Sequence, residues 1–133
     1  MTDGPKDHAN PKELALSTTW HVAGTSDALP ADGKMSAVIA GWHVIIVREG
    51  GALFAFNDRC PHQAAPLSPG KVRRGAIMCP LHGARFRIET GECIGASYPP
   101  LRSFAVREEG GRIEVELPDS APGPGDLPVE SPA

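Results

Sequence analysis

Two short runs in this 133-residue chain place metal-binding side chains close together: Cys60-Pro61-His62 and, with sixteen residues intervening, Cys79-Pro80-Leu81-His82. Each run supplies one thiol and one imidazole. Ligands one residue apart cannot share a helical face, so both runs belong on tight loops, and the proline after each cysteine fixes φ in a way that suits them. Two such loops facing each other would assemble a set of two cysteines and two histidines. That set serves either of two chemistries: one tetrahedral zinc ion, or a two-iron, two-sulfide cluster in which thiolates hold one iron and imidazoles the other. Zinc sites of this composition usually pair two cysteines in one motif and two histidines in another, whereas here each loop mixes the types. In the iron case, neutral imidazole in place of thiolate removes negative charge and raises the reduction potential, and the chemistry is one-electron transfer.

The elements that must carry these loops read as strands. Residues 19–22, 35–39 and 53–56 have strand character, and 44–47 is an unbroken apolar run of the kind buried on both faces. Glu49-Gly50-Gly51 marks a hairpin turn. These four strands are expected to form the base of the domain. Residues 76–78 lead into the second loop and 85–88 lead out of it. Residues 103–106 and 112–117 alternate in period two around Gly110-Gly111, a hairpin expected to close a barrel. The resulting prediction is an all-β fold, a small antiparallel sandwich or barrel with an inserted two-loop subdomain, over residues 18–118. Residues 1–17 are expected to be a mobile N-terminal arm with a helical turn near 12–16. Residues 119–133, which include Pro122, Pro124, Pro128 and Pro132, are expected to be a disordered Pro-rich tail.

The stretch Cys60-Pro61-His62-Gln63-Ala64-Ala65-Pro66-Leu67, then Cys79-Pro80-Leu81-His82-Gly83-Ala84-Arg85-Phe86, Thr90-Gly91-Glu92 and Pro99-Pro100-Leu101, resembles the soluble Rieske ferredoxin family. The resemblance implies the Rieske fold and one [2Fe–2S] cluster per chain, with Cys60 and Cys79 on the buried iron and His62 and His82 on the exposed one. It also implies a proline-containing loop, here around Pro99-Pro100, covering the cluster. A chain of this kind carries single electrons from a flavin-dependent NAD(P)H reductase to a terminal Rieske non-haem iron oxygenase and has no reaction centre of its own. The alternative is the small subunit of an NADH-dependent assimilatory nitrite reductase, bound to its large subunit; a binding or regulatory module is a third class. Cytochrome bc-type Rieske proteins have a further cysteine in each loop and a serine and a tyrosine hydroxyl against the cluster sulfurs. Ala65 and Leu81 stand at the first pair of positions and Ala84 and Phe86 at the second, which implies a potential toward the low end of the Rieske range of about −150 to +300 mV.

Composition narrows the rest. One domain fits the length. The third cysteine, Cys93, leaves no partner for an internal disulfide once Cys60 and Cys79 are assigned to metal, and His8, His21 and His43 form no paired ligand motif. The N-terminal residues lack the apolar core of a signal peptide, and no apolar run reaches the ~18 residues of a membrane span, so a cytoplasmic location with no membrane partner is expected. From residue 59 to residue 88 there are six basic residues, Arg59, Lys71, Arg73, Arg74, Arg85 and Arg87, and no acidic one. All 16 acidic residues therefore lie elsewhere, against the remaining seven basic ones. The overall charge of −3 and the lack of a nucleic-acid-binding motif argue against nucleic acid as partner. The positive stretch suits either an acidic docking surface or compensation of the cluster's charge. Trp20, Phe54 and Cys93 are expected to pack in the interior, and Trp42 in the core, in a turn, or against a partner.

Overall fold

The computed structural model describes residues 17–29, 33–61, 64–81 and 83–128. The expected helical turn near 12–16 lies outside these residues. The described part is all-β apart from single 3-10 turns at Ser26–Ala28 and Pro124–Asp126. Eleven strands run in chain order: β1 (Thr18–Thr25), β2 (Lys34–Ile39), β3 (Trp42–Glu49), β4 (Ala52–Asn57), β5 (Val72–Arg73), β6 (Ala76–Met78), β7 (Arg85–Arg87), β8 (Cys93–Ile94), β9 (Ser103–Phe104), β10 (Val106–Glu109) and β11 (Arg112–Pro118). They form three antiparallel sheets, ordered β1-β11-β10, β2-β3-β4-β9 and β5-β6-β7-β8.

β3 explains how one small chain supports two cores. Its run Val44-Ile45-Ile46-Val47 is fully buried, and the period-two alternation of a strand sends alternate side chains to opposite faces. Val44 and Ile46 join Trp42, Ala55, Ile113, Val115 and Leu117 between the sheets β1-β11-β10 and β2-β3-β4-β9. Ile45 and Val47 join Phe56, Leu67, Ile77, Phe86 and Ile88 under the sheet β5-β6-β7-β8. The strand is a shared wall, and truncating Ile45 or Ile46 to alanine would cost about 2–5 kcal/mol.

Two strand expectations are revised. Residues 103–106 do not form one arm of a hairpin. Ser103 and Phe104 pair with β4, through Phe56↔Ser103 and Ala55↔Phe104, whereas Val106 begins β10 opposite Val115. The chain changes sheet at Ala105, whose carbonyl accepts the Glu116 N–H at 2.9 Å. The base sheet therefore takes β9 as its fourth strand, while β1 pairs with β11 from Thr18↔Pro118 to Thr25↔Arg112. Trp20 is half-buried, with the Arg107 guanidinium 4.0 Å above its ring, and Phe54 is half-buried against the second core. Trp42 is a core residue, edge-on to Phe104 at 5.7 Å.

Residues 119–128, expected to be structureless, are described here as a strap across the base sheet. Four side chains of the body donate to it: Trp42 Nε1 to Ser120 O (3.1 Å), Asn57 Nδ2 to Asp126 O (2.9 Å), Arg59 Nε to Leu127 O (3.1 Å) and Arg102 to the Asp126 carboxylate (3.1 Å). Prolines bar this stretch from regular strand and α-helix but leave its carbonyls available as acceptors, and three of the four bonds use them. Residues 129–133 lie outside the described part.

Candidate metal centre

The two cysteine loops are built alike. In the first, the Cys60 N–H donates to Ala65 O (2.8 Å) and the Ala64 N–H donates back to Cys60 O (2.6 Å). In the second, the Cys79 N–H donates to Ala84 O (2.7 Å) and the Gly83 N–H to Cys79 O (3.0 Å). Each loop thus closes over the same number of residues, and each puts its fifth residue in the left-handed region, Ala64 at φ 60° and Gly83 at φ 75°. For alanine that conformation costs roughly 1–2 kcal/mol, and the closing hydrogen bonds offset it. The histidine sits at the third residue of one loop and the fourth of the other.

Both thiols are buried, Cys60 at 0 % and Cys79 at 1 % exposure, and both belong to the apolar cluster that holds Leu67, Ile77, Phe86 and Ile88. The structure thereby places the two expected sulfur ligands in one core. His62 and His82, the expected nitrogen ligands, lie outside the described residues. Ala65 is buried, Ala84 is packed against the same core and Phe86 is fully buried, so no described hydroxyl stands at positions 84 or 86. Leu81, at the tip of the second loop, is exposed. Pro99 and Pro100 are exposed as well, and the following Leu101 anchors that segment in the core. Cys93 is half-buried on β8 opposite Phe86, a packed side chain of the subdomain.

Two supporting residues escaped the sequence reading. Asp58 is buried at the end of β4, and its Oδ1 accepts the N–H groups of Leu67 (2.6 Å) and Ser68 (2.8 Å), which fixes the far end of the first loop. An acidic residue just after an apolar strand and before Cys-Pro was the available signal, since Asp commonly caps nearby backbone donors. Gly70 is buried where the two loops' supports touch: its N–H donates to Leu67 O at 2.7 Å, and a Cβ there would lie 1.9 Å from Met78 O, one residue before Cys79.

A β domain that presents two matched Cys/His loops over a common apolar core has the donor set and the water exclusion that a two-iron cluster of mixed ligation needs. The family model for the Rieske [2Fe-2S] domain matches residues 19–105, and the chain belongs to that family. It is 41% identical over 90 residues to the 3-phenylpropionate/cinnamic acid dioxygenase ferredoxin subunit of Escherichia coli (strain K12), covering 65% of this chain and 79% of that one. It is 32% identical over 121 residues to apoptosis-inducing factor 3 of Homo sapiens, where the match takes in 88% of this chain but spans only 19% of the other's length. Among solved structures, the ferredoxin of carbazole 1,9a-dioxygenase from Nocardioides aromaticivorans IC177 superposes with a TM-score of 0.68 at 30% identity, covering 79% of this chain and 99% of that one. A chain in the complex of reduced oxygenase and oxidized ferredoxin in carbazole 1,9a-dioxygenase matches with a TM-score of 0.67 at 26% identity, over 72% and 91% of the two chains.

Proposed function

We propose that this chain is a Rieske ferredoxin that carries single electrons to a Rieske non-haem iron oxygenase, with one [2Fe–2S] cluster held by Cys60, His62, Cys79 and His82. The observation that carries the reading is the pair of matched loops, each delivering a buried thiol into one apolar core. When bound, the group supplies a one-electron couple. The residues of the chain do the rest. Cys60 and Cys79 would hold the cluster as thiolates, in an interior that water does not reach. His62 and His82 would complete its ligand set as neutral imidazoles. Phe86 and Ala84 withhold the hydroxyl hydrogen bonds that would favour the more negative reduced state, which sets a low potential.

A flavin-dependent NAD(P)H reductase is the proposed donor, and the cytoplasm the proposed location. Among the described residues no helix is long and apolar enough to cross a membrane.

Protein purified anaerobically should contain about two irons and two sulfides per chain and, once reduced, give a paramagnetic resonance spectrum of mixed Cys/His ligation. His62→Ala or His82→Ala should remove or convert the cluster, and Cys93→Ser should leave its spectrum unchanged. Stoichiometric zinc without iron would overturn the cofactor. A loaded protein that no oxygenase oxidises, but that co-purifies with a sirohaem enzyme, would overturn the acceptor.

A further inference from the structure

The sheet β5-β6-β7-β8 turns Val72, Ile77, Phe86 and Cys93 toward the core. Its opposite face carries two cross-strand rows, Arg73, Ala76 and Arg87 in one and Met78, Arg85 and Ile94 in the next. Lys71, Arg73, Arg74, Ala76, Met78, Arg85 and Ile94 line a groove of about 230 Å³, in which four cations surround an apolar strip that includes Met78 and Ile94. A second depression shares Lys71 and Met78 with it and continues to Pro80 and Gly83 on the second ligand loop. The two adjoin at Lys71 and Met78, and we read them together as a channel that leads to the loop bearing Cys79 and His82. Beyond it stands the exposed Leu81.

No carboxylate lines this channel. Elsewhere among the described residues four of the seven cations are matched to carboxylates, Arg48 to Glu108, Arg102 to Asp126 and Arg107 and Arg112 to Glu114, while Lys34, Arg59 and Arg87 are not. Lys71, Arg73, Arg74 and Arg85 make no such pair among the described residues, although the chain as a whole carries more acid than base. Like charges kept together cost stability, and a groove flanked by them raises the local concentration of anionic groups and speeds their arrival. Its shape is wrong for a flat phosphate backbone, because the floor is apolar, whereas a protein segment that presents carboxylates around an apolar side chain complements both features.

We infer that this channel is the docking site for an acidic, apolar-centred segment of the oxygenase that accepts the electron, which it aligns beside the second ligand loop. The inference rests on the function proposed above and adds the surface and chemistry of the contact. Docking here brings the acceptor to the loop that holds His82.

The test is stopped-flow oxidation of the reduced, cluster-loaded protein by a ferredoxin-dependent oxygenase that the wild-type chain reduces. Arg73→Glu with Arg74→Glu should slow the second-order rate at least tenfold at about 10 mM salt, where the Debye length is about 30 Å, and by less than threefold near 1 M, where it is about 3 Å. The control, Lys34→Glu with Arg112→Glu, makes the same change in net charge away from the channel and should slow it no more than about threefold. The spectra and potential of both variants should match wild type. Small ions give a readout that needs no oxygenase: the channel variant should react more slowly with ferricyanide and faster with hexaammineruthenium(III), each of which takes one electron. Equal rates for the channel variant and its control would overturn the inference while leaving the ferredoxin function intact, as would retention of wild-type protein on duplex DNA at 0.15 M salt. Slowing confined to the flavoprotein reductase would overturn the assignment to the oxygenase. If wild-type protein reduces no oxygenase at all, the function itself fails.

Discussion

Replacing Gly70 by alanine tests whether the two ligand loops must touch. A Cβ at this position would stand 1.9 Å from Met78 O and 3.0 Å from both Met78 C and Leu67 O. Contacts below 3.0 Å essentially do not occur, so the backbone around residue 70 and the end of β6 must separate by more than about 1 Å. No side chain can rotate away to make room. The Met78 carbonyl is tied into β6, which is paired on both sides, and the Met78 N–H is bonded to Lys71 O at 2.9 Å. Overpacking that side chains absorb costs 1–3 kcal/mol; with a fixed carbonyl as the obstacle the expected cost is at the top of that range, about 3 kcal/mol. For a domain of this size that lowers Tm by roughly 10 °C. The shift also moves Cys79 relative to Cys60, so iron content per chain should fall in parallel. Thermal unfolding followed by far-ultraviolet circular dichroism, with iron analysis on the same samples, reads both effects. Gly125→Ala is the matched control: its Cβ meets nothing within 4 Å, and the change should stay within about 0.5 kcal/mol. A Gly70→Ala protein within 1 kcal/mol of wild type and fully loaded would refute the close approach.

Asp58→Ala should cost about 3 kcal/mol, because two backbone donors lose a charged acceptor, while Asp58→Asn, which keeps an oxygen in place, should cost less than half of that. Equal urea midpoints for the two variants would remove Asp58 from the support of the first loop. Phe86→Tyr and Ala84→Ser should each raise the cluster potential by tens of millivolts in a redox titration, since about 59 mV corresponds to a tenfold change for one electron; no rise in the double variant would end the argument from missing hydroxyls. Arg48 at 2.9 Å holds the Glu108 carboxyl below the ordinary glutamate value of 4.5 by hydrogen bonding, and Arg107 at 2.7 Å does the same for Glu114. A depressed folded pKa contributes stability that is present above the unfolded value and lost as pH falls through the folded one. The stability difference between wild type and Glu108→Gln with Glu114→Gln should therefore shrink from about pH 6 to about pH 3, and a constant difference would contradict it.

What could be read from the sequence was whatever depends on neighbours in the chain. The run 44–47 announced a strand buried on both faces because four consecutive apolar residues leave no side for water, and β3 is that strand. The ligand candidates stood out because their chemistry and spacing are local. The change of sheet at Ala105 was hidden, since a strand that alternates across two sheets reads as one strand until its partners are known. Asp58, Gly70 and the strap were hidden for the same reason. Asp58 acts on donors nine and ten residues away, Gly70 on a carbonyl beyond the next turn, and the strap on side chains 24 to 78 residues away. At the strap, proline content reports which regular structures are barred, not whether a segment can dock through its carbonyls.

The repeated loop frame bears on why the two motifs differ by one residue. Both loops bond cysteine to the same positions, so the frame is common and only the place of the histidine within it changes. Each frame also needs a left-handed residue just before its closing carbonyl, a place glycine fills without strain and alanine fills only at a cost. The second loop has Gly83 there. The first has Ala64, and it is also the loop with the additional supports, the Asp58 carboxylate at its far end and the Arg59 bond to the strap at its near end. The strained loop is the braced one, which is the pattern expected where a backbone conformation is held by its surroundings and not by its own preference.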